Sequence, residues 1–267
     1  MTTNLLQTEV VENNHNVENF DQYGRCLPLG VKSAVHEKSR RYFSIDQSSI
    51  EYQSIYERLN NAFNLASSIN LKEFEQRAEM ILEELKHDSE VEGILNGVRI
   101  PFILPKSQYD DIGFAMQNIY LDALGQSFSE HDFINHYSQN LLGQLKVVEG
   151  SRHDKLISEM KNGVVVGYFF PCLLEYSVPA AIERIKSLPD KFLLAGGYDL
   201  TAAFIGSPDI LLRKDGYPPL LWLAALETSE EQAGLHFEAY GYDLTFNRRV
   251  HLGHVAEYWA SGLVVLG

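Results

Sequence analysis

An α+β fold is predicted for this chain, with a mostly helical first part and a mixed α/β C-terminal part holding a small sheet and a closing C-terminal helix. Three observations predict it. Apolar residues keep a three-to-four spacing between positions 44 and 162, β-branched and aromatic runs take over from Val164, and the pentapeptide GYDLT occurs twice in the last third, at Gly197–Thr201 and Gly241–Thr245.

The first 24 residues carry no Lys or Arg, four acids and five Asn. That composition buries too little apolar surface to offset ordering, so a flexible acidic tail is expected over 1–24. Residues 25–43 reverse the sign through Arg25, Lys32, Lys38, Arg40 and Arg41 and read as a basic connector. The helical part spans 44–162. Ile50, Tyr52, Ile55, Tyr56, Leu59 and Phe63 mark one amphipathic helix. Asn70 with Glu73 is a capping-box pair in front of Phe74, Ala78, Ile81, Leu82 and Leu85. Gly97–Pro105 reads as a short strand in which Pro101 marks an edge or a bulge. Further helices are expected over Asp110–Leu124, from Ser129 toward Leu145, and over Asp154–Lys161.

The mixed part, 163–267, is expected to pack with the helical part as one globular unit. Val164–Phe170 has the profile of a buried strand. Ser177 caps a helix through Lys186 and Pro179 fits its first turn. A short helix from Ser207 to Arg213 precedes a strand over Pro219–Leu226. A second strand, Leu235–Tyr242, pairs with it across the TSEEQAG loop, and Arg249–Leu263 is expected to close the chain as a helix.

Composition narrows the function classes. The chain has 267 residues, 45% hydrophobic and 22% charged, enough for a substantial core. Its net charge of −14 opposes nonspecific attraction to nucleic acid or to an anionic membrane. No signal peptide or membrane span is read from it, and two distant cysteines, Cys26 and Cys172, suit a reducing cytoplasm. The acidity is concentrated before residue 161, so the C-terminal part is the place to expect a small, polar and even anionic ligand. A homo-oligomer is compatible with the same composition.

Chemistry is expected in HFEAYGYDLTFNRRVHLGHVAEYW, residues 236–259. On a strand, His236 and Glu238 share a face and, with Asp243, can act as acid and base. Arg248 and Arg249 can grip a carboxylate, the more so if Arg213 and Lys214 converge on them. Asp199 and Tyr242, from the two GYDLT segments, complete the ligand-binding candidates. The two Asp residues of those segments, Asp199 and Asp243, are expected to cap helices at equivalent junctions. On the closing helix, His251 and His254 recur with Glu257 at three-residue intervals. With His236 and Glu238 they make a set that suits a divalent metal such as Zn²⁺ or Fe²⁺. The apolar face of that helix, Leu252, Val255, Ala256, Trp259 and Leu263, turns them toward solvent. Cys172, at the end of a buried strand, is more simply an inert small hydrophobe than a nucleophile. The alternative to a ligand site is a non-catalytic interaction protein that uses its acidic helical surface and its first 41 residues.

Overall fold

The computed structural model describes residues 18–36, 47, 49–128, 133–211, 220–230, 232–240 and 243–267. Helix α1 (Tyr52–Phe63) buries Ile55 and Leu59 and ends on Asn64, whose left-handed backbone an asparagine tolerates. In α2 (Leu71–Lys86) the Asn70 side chain accepts from the Glu73 N–H at 3.0 Å, and Phe74, Ala78, Ile81 and Leu85 form the buried stripe. Strand β1 (Ile100–Leu104) follows, with Pro101 on the sheet's edge as its missing N–H requires. Asp111 caps α3 (Ile112–Ala115), which continues through a π-helical segment (Met116–Leu121) into α4 (Asp122–Ser127). Two short strands, β2 (Phe133–Asn135) and β3 (Leu145–Val147), precede α5 (His153–Asn162).

Strand β4 (Val165–Leu174) is buried along its whole length. Ser177 caps α6 (Val178–Ile185) by accepting from the Ala180 N–H at 3.3 Å, and Pro179 sits in the first turn. Then come β5 (Leu193–Leu194), α7 (Gly197–Gly206), α8 (Pro208–Leu211), β6 (Leu220–Trp222), β7 (Leu226–Thr228), β8 (Ala233–Tyr240), β9 (Asp243–Val250) and β10 (Trp259–Leu266).

Eight strands make one mixed sheet in the order β1-β4-β10-β6-β8-β9-β2, with β5 sharing an edge of β10 with β6. On that edge Trp259 and Ala260 run parallel to Leu220 and Leu221, while Leu263 and Val264 pair antiparallel with Leu194 and Leu193. Strands β3 and β7 form a separate ribbon. The two halves of the large sheet differ in burial. At β1, β4 and β10 the strands are almost continuously buried, whereas β9 alternates between buried and half-exposed residues through Asn247. Helix α7 lies against one face, where its Phe204 meets Phe237 edge-on, their ring centres 5.3 Å apart.

Two features of the expected fold are corrected. The sheet is large and draws β1 and β2 from the 44–162 part expected to be mainly helical. The closing helix does not form: Arg249 and Val250 end β9, residues 251–258 turn, and the chain's last element is β10. The apolar spacing of Leu252, Val255, Ala256, Trp259 and Leu263 imitates a helix, yet Gly253 and Gly262 weaken one and the run to Val265 favours a strand. Gly262 has a local reason to lack a side chain, since a Cβ there would stand 2.1 Å from Cε2 of Phe169, where the β4–β10 register shifts and Pro171 and Cys172 of β4 oppose it.

The stretch from Ser129 toward Leu145, expected helical, holds β2 and no helix among its described residues. Within the expected tail and connector, residues 18–36 are described, and Asn19, Phe20, Arg25 and Cys26 are buried. Arg184 of α6 anchors this segment, donating to the Leu27 carbonyl at 2.7 Å and to Asn19 Oδ1 at 2.8 Å. Residues 1–17 and the 37–43 part of the connector lie outside the described residues.

Candidate functional site

Strand alternation assembles a polar cluster on the face of the sheet turned away from α7. In an antiparallel pair, residues in register point the same way. Trp222 is paired with His236, Leu220 with Glu238, and Gly234 with Arg249. Trp259 of β10 lies in register with Leu220. Trp222, His236, Glu238, Arg249 and Trp259 therefore share one face. The neighbouring positions, Leu221, Phe237 and Phe246, fill the opposite one.

The side chains meet. The Trp222 ring lies edge-on to His236 with centres 5.4 Å apart, and edge-on to Trp259 at 5.5 Å. The Arg249 guanidinium carbon sits 5.0 Å from the centre of the Trp259 ring, within cation–π reach. Arg249 Nη2 donates to Glu238 Oε2 at 3.2 Å, and the same carboxylate oxygen stands 3.6 Å from His236 Nε2. Trp222 and His236 are each only 1% exposed. Glu238, Arg249 and Trp259 are half-buried and form the rim.

Several buried atoms here lack a hydrogen bond among the described residues: Trp222 Nε1, both ring nitrogens of His236, and Arg249 Nε. Ser261 Oγ is unpartnered as well, and the next step of the β6–β10 register sets Ser261 beside Trp222. A buried donor without a partner costs about 1–3 kcal/mol. Five unpartnered polar atoms gathered here are therefore an expensive arrangement for a purely structural cluster.

Burial is the main influence on His236 and depresses its pKa; Glu238 opposes this and the Arg249 charge adds to it. The imidazole is thus neutral at pH 7, with one donor and one acceptor nitrogen. His236 in turn, and then Arg249, hold the Glu238 carboxyl below the usual range against its partial burial. A neutral imidazole beside a carboxylate can accept a proton from a bound hydroxyl.

A cavity of about 470 Å³ adjoins the cluster. Val178, Ile182, Leu226 and Leu252 supply its apolar walls, and Gln144, Lys146 and Glu230 are among its polar ones. Trp222 and Gly234 belong to this lining and are the register partners of His236 and Arg249. The benzo edge of Trp222 lies over Gly234, where a Cβ would come within 3.1 Å of Cζ3, so the indole N–H is on the edge facing away. Trp222 is the wall common to cavity and cluster.

No known protein family, curated protein or solved structure matches the chain.

Of the residues singled out in the sequence, His236, Glu238 and Arg249 come together. Arg248 does not join them, because adjacent strand residues point to opposite faces. It pairs with Glu230 instead. Arg213 and Lys214, expected to converge with it, lie outside the described residues, as does Tyr242. Asp243 opens β9, opposite Tyr240, and caps no helix. Asp199 does cap one: the Gly196 N–H donates to both of its carboxylate oxygens, at 3.1 and 3.0 Å, in the first turn of α7. It is fully buried. Burial pushes its carboxyl up, while nearby His153 and the N–H groups of Gly196, Asp199 and Leu200 pull it down.

His251 and His254 stack on each other at 5.0 Å in the exposed turn before β10, and no three His, Cys, Asp or Glu side chains among the described residues are grouped as metal ligands. Burial pushes the Cys172 thiol well above its ordinary value, the opposite of what a nucleophile needs. In the sequence Trp222 and Trp259 stand among a dense set of C-terminal aromatics that could line a pocket but read by default as core, and neither is singled out as a site residue. Their signal was scarcity, since the chain has two tryptophans and both are here.

Proposed function

We propose that the protein is a cytosolic ligand-binding protein or enzyme that holds a small polar molecule against Trp222, His236, Glu238, Arg249 and Trp259. One observation carries this reading: the buried donors of Trp222, His236 and Arg249 have no partner within the described residues, and a ligand would supply one. The adjoining cavity of about 470 Å³ lies in the size range of small-molecule sites. The two cysteines are free and buried, which supports a reducing compartment. Among the described residues no helix is long and apolar enough to cross a membrane.

The test is native mass spectrometry of protein purified without chelator, set against its denatured mass, with tryptophan emission followed in parallel. A small-molecule adduct that disappears in Arg249→Gln and His236→Gln, together with a change in emission, supports the site. An adduct that persists in both variants, or no adduct and no emission difference between fresh and extensively dialysed protein, would sink it.

A further inference from the structure

The cluster's charges and its unused hydrogen-bonding atoms narrow the ligand further. We infer that the group bound there is uncharged and carries both a donor and an acceptor, as a hydroxyl or a primary amide does, and is not a carboxylate or phosphate. This rests on the reading of the cluster as a ligand site.

Arg249 brings one positive charge, and Glu238 cancels it at 3.2 Å. His236, 1% exposed and packed against Trp222, sits where burial disfavours its charged form. The cluster is therefore neutral as a unit. An arriving anion would have to displace Glu238 from Arg249 or lie beside a carboxylate already in place. It would also lose its hydration with no unspent positive charge to offset the loss. A neutral polar group meets neither obstacle.

The open hydrogen-bonding valences point the same way. Trp222 Nε1–H and Arg249 Nε–H are donors only, and the Arg249 nitrogen used by Glu238 is a different one, Nη2. Neutral His236 adds one donor and one acceptor; neither nitrogen makes a hydrogen bond, and Nε2 stands 3.6 Å from Glu238 Oε2. Completing the set takes acceptor atoms for the three donors and a hydrogen for the remaining imidazole nitrogen. A carboxylate has acceptors and no hydrogen to give, so it leaves that nitrogen orphaned. A primary amide or a hydroxyl brings both in one group.

Acetamide and acetate are nearly isosteric and differ in this charge and this hydrogen. Each is titrated into the protein at matched ionic strength and neutral pH, and the two indole N–H resonances, both from the site, are followed by NMR. The expected result is a saturable shift of the Trp222 indole resonance with acetamide and binding of acetate at least about tenfold weaker, a gap of about 1.4 kcal/mol. Glu238→Gln leaves Arg249 uncompensated and should reverse the order of the two probes. Acetate binding as tightly as acetamide to the unaltered protein, or an unchanged order in Glu238→Gln, overturns the inference while leaving a ligand site in place. If neither probe moves either indole resonance, the inference and the site reading both fall.

Discussion

The two faces of the β6–β8–β9 half of the sheet are built from the same strands and obey different physics. Leu235, Phe237, Leu244 and Phe246 point toward α7 and are at most 1% exposed. Phe237 touches both Phe204 and Phe246, with ring centres 5.3 and 5.1 Å apart, and needs no polar partner. The alternate positions of the same strands carry Trp222, His236, Glu238 and Arg249, with several buried atoms left unpaired. The first face closes on itself. The second leaves buried donors and acceptors open, which is the ground on which we propose it as the ligand site.

The largest effect should come from the closed face. Phe237→Ala removes a fully buried ring and should cost about 3–5 kcal/mol in urea unfolding. Arg249→Gln, on the other face, should change stability by about 1 kcal/mol or less, because the rim ion pair is partly solvated. An Arg249→Gln loss equal to that of Phe237→Ala would break the comparison. Next in size is Gly234→Ala. The new Cβ would stand 2.6 Å from Leu252 Cδ2 and 3.1 Å from Trp222 Cζ3. Overpacking of this kind costs about 1–3 kcal/mol, and because the indole must move, tryptophan emission should change with it. Unfolding curves and emission spectra of the same variant check both halves of that expectation.

What could be read from the sequence was local. The caps at Asn70 and Ser177 and the edge placement of Pro101 depend on neighbours within a few residues and are found where expected. The shared face of His236 and Glu238 follows from strand periodicity alone. Trp222 and Trp259 reach the same place through β6–β8 and β10–β6 pairing, and nothing near either residue announces those pairings. The repeated GYDLT misled for the same reason. Its first copy opens a buried helix, while Asp243, Leu244 and Thr245 of the second lie on β9, because what each segment packs against outweighs its own preference.

That divergence gives a third prediction. Asp199→Ala removes the cap of α7 and should cost about 1 kcal/mol, whereas Asp199→Asn keeps an acceptor for the Gly196 N–H and should cost less. The sign of the pH dependence follows from burial. The folded carboxyl titrates above its unfolded value, so its stabilising contribution is complete below pH ~3.9 and is lost as pH rises through the folded pKa. Relative to the unaltered protein, Asp199→Asn should therefore become more favourable as pH rises, as paired melting curves across that range would show.

His236 runs the other way. Its folded pKa is depressed, so as pH falls below about 6.5 the unfolded chain takes up the proton first. The fold then loses stability down to the folded pKa. Glu238, also depressed, extends the loss to lower pH, since its contribution is complete above about pH 4.3 and is lost as pH falls through its folded pKa. His236→Gln should flatten the upper window and leave the lower one, which denaturant midpoints at successive pH values can resolve.

The smallest effect belongs to the second echo. Asp243 is half-buried at the start of β9, on the strand-parity side of Glu238, and no helix begins there for it to cap. Asp243→Asn should alter stability by no more than about 0.5 kcal/mol, as for an ordinary surface change. It should also leave both indole resonances in place. If it cost as much as Asp199→Ala, the two GYDLT segments would share a structural role despite lying on a helix and a strand. If it moved the indole resonances, the polar cluster would extend along β9 beyond Glu238.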